Sequence, residues 1–163
     1  MKRVLLVIGA LIATIAVTFA LLGWWSQRPE IAAPGLVEGR LSACDPAPHC
    51  VCSDNDNSAD RDHWIAPIEV PVALDAEQWR RVREVLAAAG GDVAQEDHGY
   101  VHAMFTSHLF HFVDDVELRA DGQRLQVRSS SRVGHSDLGA NRTRVEDLRQ
   151  RLTSALAVSG TAH

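Results

Sequence analysis

The stretch Phe110–Val133, FHFVDDVELRADGQRLQVRSSSRV, decides the fold. Two runs of alternating apolar and polar residues flank Asp121-Gly122, and an Asp-Gly pair between such runs is the strongest short-range hairpin signal. With Asp121 and Gly122 as the loop, strands Phe110–Leu118 and Arg124–Val133 pair outward from Ala120 and Gln123. Leu118 then faces Leu125, Val116 faces Val127, Asp114 faces Ser129 and Phe112 faces Ser131. That side is apolar near the turn and turns polar at Asp114, whose carboxylate needs a donor or a proton. Ser129, Ser131 and Arg142 are the nearest candidate donors. The opposite side pairs Glu117 with Gln126, Asp115 with Arg128, Val113 with Ser130 and His111 with Arg132. It reads as a solvated ion-pair ladder of Asp115, Glu117 and Arg128.

Downstream, Val133–Arg142 (VGHSDLGANR) is a loop rich in Gly and Asp that runs into a helix from about Asn141 to Val158. The helix buries Val145, Leu148, Leu152 and Leu156 at helical spacing. The loop offers backbone N–H groups to an anion, or it is a cap satisfied by Asp137 or Asn141. Upstream, Ile65–Val72 reads as an edge strand because it contains Pro67 and Pro71. Asp75 and Gln78 open a helix with Trp79, Val82, Val85, Leu86 and Ala89 on one face, and Gly90-Gly91 ends it. Strands Val93–Gln95 and Tyr100–Thr106 follow. The order β-α-β-β-β-β-α with hairpin links predicts an α+β fold, a small antiparallel sheet with two helices packed on one face.

Residues 26–62 read as a flexible linker, broken by Pro29, Pro34, Pro46 and Pro48 and polar from Ser53 to Asp62. About 37 such residues reach roughly 35 Å on average. The linker carries all three cysteines. Cys44–Cys50 closes a short loop and is the expected disulfide, because Cys50–Cys52 has one intervening residue. A zinc site using His49 does not match the usual ligand spacing. Leu41-Ser42-Ala43-Cys44 looks like a lipoprotein box but lies too far from the apolar segment.

That segment, Val4–Trp25, has no charged residue. At 1.5 Å per residue it makes about 33 Å of helix, enough for a hydrocarbon core of about 30 Å. Lys2 and Arg3 precede it and Trp24-Trp25 close it. The positive-inside bias places the N-terminus in the cytoplasm and residues 26 onward in the periplasm or outside the cell, beyond the inner membrane. A cleaved signal peptide has a shorter apolar core and a small-x-small exit, so the run favours a retained anchor. The expected organisation is an anchor (1–25), a linker (26–62), an α+β domain (63–158) and a tail (159–163).

Beyond the anchor, 14 basic residues stand against 21 acidic ones, a formal charge of about −7. An acidic domain of this kind argues against nucleic acid as a partner. No HExxH, GxSxG, P-loop or dinucleotide fingerprint occurs, so no metal ligand, cofactor or catalytic residue is assigned. His108 and His111 are three apart, which puts them on opposite faces of a strand.

The run Phe112–Arg144, FVDDVELRADGQRLQVRSSSRVGHSDLGANRTR, resembles a bacterial family, domain of unknown function 1499, whose recurring features look like FVDDVE and RSxSRVGxSDxGxNRxR. The likeness extends less tightly through His63-x-Ile65-x-Pro67 and Cys44-x5-Cys50-Val51, and covers residues 44 to 152. This chain departs from the pattern at Asp45, Ala47, His49 and Cys52. The resemblance carries no activity or residue roles with it.

From the residues alone, the expected function is a non-enzymatic envelope module that binds a partner protein or a small anionic ligand. Arginines cluster beside a helix start on an otherwise acidic domain, so the candidate site is Asp114, Arg128, Arg132, His135, Asp137, Asn141 and Arg142. The alternative is an envelope hydrolase using Asp114 or Asp115 with His135. A third reading makes the motif a buried network that locks hairpin to helix.

Overall fold

The computed structural model describes residues 1–54, 60–71 and 73–157. Apolar helix α1 spans Lys2–Ser26, and a short 3-10 turn follows at Pro29–Ile31. Then come β1 (Leu36–Val37), β2 (Arg40–Leu41), β3 (Cys50–Cys52), β4 (Ile68–Glu69), α2 (Ala76–Ala88), β5 (Gly91–Asp97), β6 (Tyr100–Thr106), β7 (Val113–Asp121), β8 (Arg124–Ser131) and α3 (Ala140–Ala157). Strands β1 and β2 form a small hairpin. The main sheet is antiparallel in the order β3-β8-β7-β6-β5, with β4 also paired to β8. The α+β expectation holds.

One face of the sheet is built as the apolar pattern dictates. Val101 and Ala103 of β6, Val116 and Leu118 of β7, and Leu125 and Val127 of β8 point to the same side. They pack against Val82 and Leu86 of α2 and Val145, Leu148, Leu152 and Leu156 of α3. Asp75 caps α2: its side chain accepts from Gln78 N, and Gln78 Oε1 accepts from Asp75 N, at 2.8 and 2.9 Å. Gly90, at φ 91°, turns the chain out of the helix, as its position after the last periodic residue implies.

The hairpin register differs from the expected one. Asp121 pairs with Arg124, so Gly122-Gln123 is the loop, and Leu118 faces Val127 while Glu117 faces Arg128. The shift is two residues along one strand, so every side chain keeps its face and only its partner changes. Gly122, at φ 62°, supplies the left-handed turn residue. The first strand starts at Val113, not Phe110. Ser107–Phe112 instead forms a loop closed by Ser107 N on Phe112 O and by Phe112 N on Ser107 Oγ. The expected strand at 65–72 shrinks to Ile68–Glu69, because Pro67 and Pro71 bracket the paired residues and neither can donate to a ladder. Val72, Val158 and the tail at 159–163 lie outside the described residues.

The largest departure concerns the expected linker. Its described residues include three strands, and β3 extends the main sheet through pairs Cys50–Ser130, Val51–Ser129 and Cys52–Arg128. Cys44 and Cys50 are disulfide-bonded, with Cα atoms 5.6 Å apart, and Cys52 is free and fully buried. Prolines that forbid a helix do not forbid an ordered strap. Here the strap crosses the second face of the sheet. Leu41 and Cys52 pack on Tyr100, with Cys44 beside them. Asp54, buried, accepts Leu41 N at 2.8 Å and pairs with Arg119 and Arg40. Burial tends to raise the Asp54 carboxyl, but its donors, Arg119 foremost, hold it below the usual carboxylate range.

Candidate functional site

Side chains on the strap-covered face come from alternate positions of three strands. β6 contributes Tyr100 and His102, β7 contributes Asp115 and Glu117, and β8 contributes Arg128 and Ser130. Read as a free surface, Asp115 and Glu117 are a solvated ladder. Under the strap, Glu117 is fully buried, and Asp115 is 2% and His102 5% exposed. Ionised groups taken from water persist only when paired and hydrogen-bonded. Both carboxylates meet that requirement. Glu117 accepts Tyr100 Oη at 2.8 Å and Arg128 Nη1 at 3.0 Å. Asp115 accepts a forked pair from Arg132, Nε at 2.8 Å and Nη2 at 2.7 Å, and bonds His102 Nε2 at 2.7 Å. Ala33 N adds a fourth bond at 3.1 Å. Burial pushes Asp115 up, yet His102 and Arg132 together leave it below the ordinary value. Burial and the Glu117 charge raise the Tyr100 phenol far above its usual range, so it stays a donor.

Between this face and the strap lies a cleft of about 210 Å³, lined by His49, Asp115, Arg128, Ser130, Ser131 and Arg132, with Asp45 and Ala32–Pro34 at its edge. The disulfide holds the Asp45–His49 loop over it. Two buried side-chain nitrogens lack a hydrogen-bond partner among the described residues, His49 Nδ1 and Arg128 Nε. Both residues line this one cleft. Such orphans are rare in folded proteins and mark places where something else completes the bonding. Two larger grooves flank α2, about 520 and 670 Å³, with neither of these orphans on their walls. We place the candidate site in the smaller cleft for that reason.

The expected site residues do not converge. Arg128 and Arg132 reach this cleft. Asp114, Asn141 and Arg142 belong to the other side of the sheet or to its end. Asp114 pairs with Arg144 at 2.7 Å, not with Arg142, because a step of two residues, about half a turn of α3, carries the side chain round to the β7 side. Arg142 donates to the carbonyls of Arg61, Asp62 and Trp64 at 3.0–3.1 Å. Asn141 is fully buried and saturated. Its Oδ1 accepts Ser129 Oγ at 2.5 Å and Arg144 Nη1 at 2.8 Å, and its Nδ2 donates to His49 O and Ser131 Oγ. Asp137 accepts Asn141 N at 2.7 Å and Gly139 N at 3.0 Å at the start of α3. Burial works against that carboxylate, but these two amides keep it below its usual value. The loop amides are thereby spent on a cap. His135 is exposed, and no hydrogen bond joins it to Asp114 or Asp115. The expected ladder is also re-paired, since Arg128 meets Glu117 and Asp115 meets Arg132.

Sequence reasoning missed His49 as a site residue, having weighed it only for zinc, and missed Ser130, His102 and Tyr100. One signal was present. Tyr100 and His102 alternate with Val101 and Ala103 just as Asp115 and Glu117 alternate with Val116, so the polar groups fall on one face of two adjacent strands.

A family model described as protein of unknown function, DUF1499, matches residues 40–152, and the chain belongs to that family. The matched span contains β2, the disulfide loop, the whole main sheet and most of α3, so it includes His49, Asp115, Arg128, Ser130 and Arg132. No curated protein and no solved structure gave a match to the chain.

Proposed function

We propose that this family member is a membrane-tethered, non-enzymatic binding module of the cell envelope. Its ligand is a small oxyanion, a carboxylate or phosphate group, held in the cleft beneath the Cys44–Cys50 loop. In this reading α1 spans the inner membrane with Lys2 and Arg3 on the cytoplasmic side, and the domain stands on the far side. The support for the anchor is one N-terminal helix, Lys2–Ser26, long and apolar enough to cross a bilayer.

The observation that carries the binding reading is the coincidence of the two unpaired nitrogens in one cleft. The Arg128 Nε–H is a donor with no alternative role, and His49 Nδ1 donates in one tautomer. Ser130 and Ser131 add hydroxyls. Glu117 and Asp115 already balance the charges of Arg128 and Arg132. An oxyanion is therefore held by charge-assisted hydrogen bonds rather than by net charge. A hydrolase built on Asp114 or Asp115 with His135 needs a carboxylate and that imidazole within proton-transfer reach. The two aspartates instead engage Arg144 on one face and His102 with Arg132 on the other.

Thermal unfolding of the full chain in detergent micelles, with inorganic phosphate or acetate added, tests the proposal. Binding raises the midpoint in a saturable way, and Arg128→Lys, which keeps the charge beside Glu117 but loses the Nε–H, abolishes the rise. Unchanged midpoints with both anions, or an equal rise in the variant, would overturn it.

A further inference from the structure

The segment that closes β6 into β7, Ser107–Phe112 (SHLFHF), is absorbed neither by the core nor by the cleft. Leu109 is 78% exposed, an apolar side chain with no cover from the domain. Its neighbours Phe110 and Phe112 are only half-exposed, because both rings pack on Phe19 of α1, with centroids 5.0 and 6.0 Å apart. The approach is also made by backbone. Gly23 is buried, and a Cβ there would come 1.6 Å from Phe110 O, so only glycine admits the loop at that turn of the helix. Ser26 Oγ accepts Val113 N at 3.2 Å, donates to Gly23 O at 2.7 Å and lies 3.3 Å from His111 O.

These contacts fix a depth. Phe19 lies six residues before Trp25, which at 1.5 Å per residue is about 9 Å further towards the middle of the helix. Phe110 therefore sits below the level of the Trp24-Trp25 pair, where a spanning helix meets headgroups. Leu109, beside it, faces outward with nothing of the protein over it.

We propose that Ser107–Phe112 is a second membrane-contacting element, which buries Leu109 and Phe110 in the outer edge of the bilayer beside α1. The proposal rests on α1 spanning the membrane. The apolar surface that the domain leaves open is continuous with the apolar surface of α1, so the occupant of both is lipid. His108 and His111 flank the apolar pair and place polar rings at headgroup level. The domain is then seated on the membrane in one orientation rather than swinging on a tether.

The test uses the full chain in vesicles of equal parts phosphatidylcholine and phosphatidylglycerol, labelled at Leu109→Cys with an environment-sensitive thiol-reactive dye. Cys52 is fully buried and burial raises its thiol pKa, so unsubstituted chain supplies the labelling blank. His98→Cys, on the β5–β6 turn at the opposite end of β6, is the control position. The expected result is blue-shifted emission at 109, quenched by shallow brominated lipid, with neither effect at 98. Equal, unquenched emission at both positions in chain that resists alkaline carbonate extraction would overturn the loop proposal and leave the anchor standing. Release of the chain by carbonate removes the anchor, and the loop proposal falls with it.

Discussion

The two faces of the main sheet are buried to the same degree by opposite means. On the helix face, Leu118, Leu125, Val127, Leu148 and Leu152 are fully covered and make no polar demand. On the strap face, Glu117, Asp115 and His102 are covered as thoroughly, and each needs named partners. The first face is held by removal of apolar area from water, which tolerates approximate fit. The second is held by hydrogen bonds whose loss strands a charge, which tolerates very little. One sheet thus combines a forgiving side with a brittle one, and the unpaired polar atoms lie on the brittle side.

The sharpest way to break this contrast is Asp115→Ala. It leaves the Arg132 guanidinium, 3% exposed, without its carboxylate. The expected loss is about 3–5 kcal/mol in urea unfolding, as for other buried pairs deprived of one member. A loss under 1 kcal/mol would mean that the strap opens and readmits water. On the helix face, Leu148→Ala is expected to cost about 3 kcal/mol by the cavity it leaves. Here the cleft's anion response should survive in the fraction that remains folded. Reduction of Cys44–Cys50, which closes a loop across a separation of six residues, should cost about 2 kcal/mol by the loop-entropy relation. Its effect should be confined to the strap, raising amide exchange at β3 before any change in α2 or α3.

Acid separates the faces more gently. Asp115 and Asp54 are both held below the ordinary value of 3.8. A depressed folded pKa gives stability that is complete above the unfolded value and lost as pH falls through the folded one. Stability should therefore be flat above about pH 5 and decline below about pH 4. Asp54→Asn should lower the plateau and flatten the decline, whereas Leu148→Ala should lower the curve without changing its slope. The smallest effect belongs to neither face. Arg151→Ala removes an exposed pair with Asp147, both about half exposed, and should change stability by under about 1 kcal/mol.

The helix face was legible in the sequence because apolar periodicity reports directly on burial. The spacing of Val145, Leu148, Leu152 and Leu156, and the cap at Asp75 and Gln78, predicted elements that the structure contains. The strap face was not legible, because the same physics was read without its cover. Asp115 and Glu117 in alternation look like a wet surface unless another segment is known to lie over them. That segment, rich in proline and polar residues, carries no periodic signal of its own. Its strands are two or three residues long and exist through long-range pairing such as Val51 with Ser129. The candidate site suffered in proportion. Arg128 and Arg132 were selected for their charge and do line the cleft. Asn141, Asp137 and Arg142 were selected as residues of the loop and helix start and are consumed by structural bonds. Arg142 was favoured over Arg144, but about half a helical turn separates the two and decides which arginine reaches β7.

The seam between α1 and the sheet has a mechanical meaning. Ser26 meets Val113 at the start of β7, and the carbonyls of Ser26 and Arg28 accept Arg132 just beyond the end of β8. Both attachment points lie at the open end of the same hairpin, whose closed end is Gly122-Gln123. A pull along the helix is therefore shared by the two strands side by side. It draws on the hairpin as one body and does not peel β7 from β8.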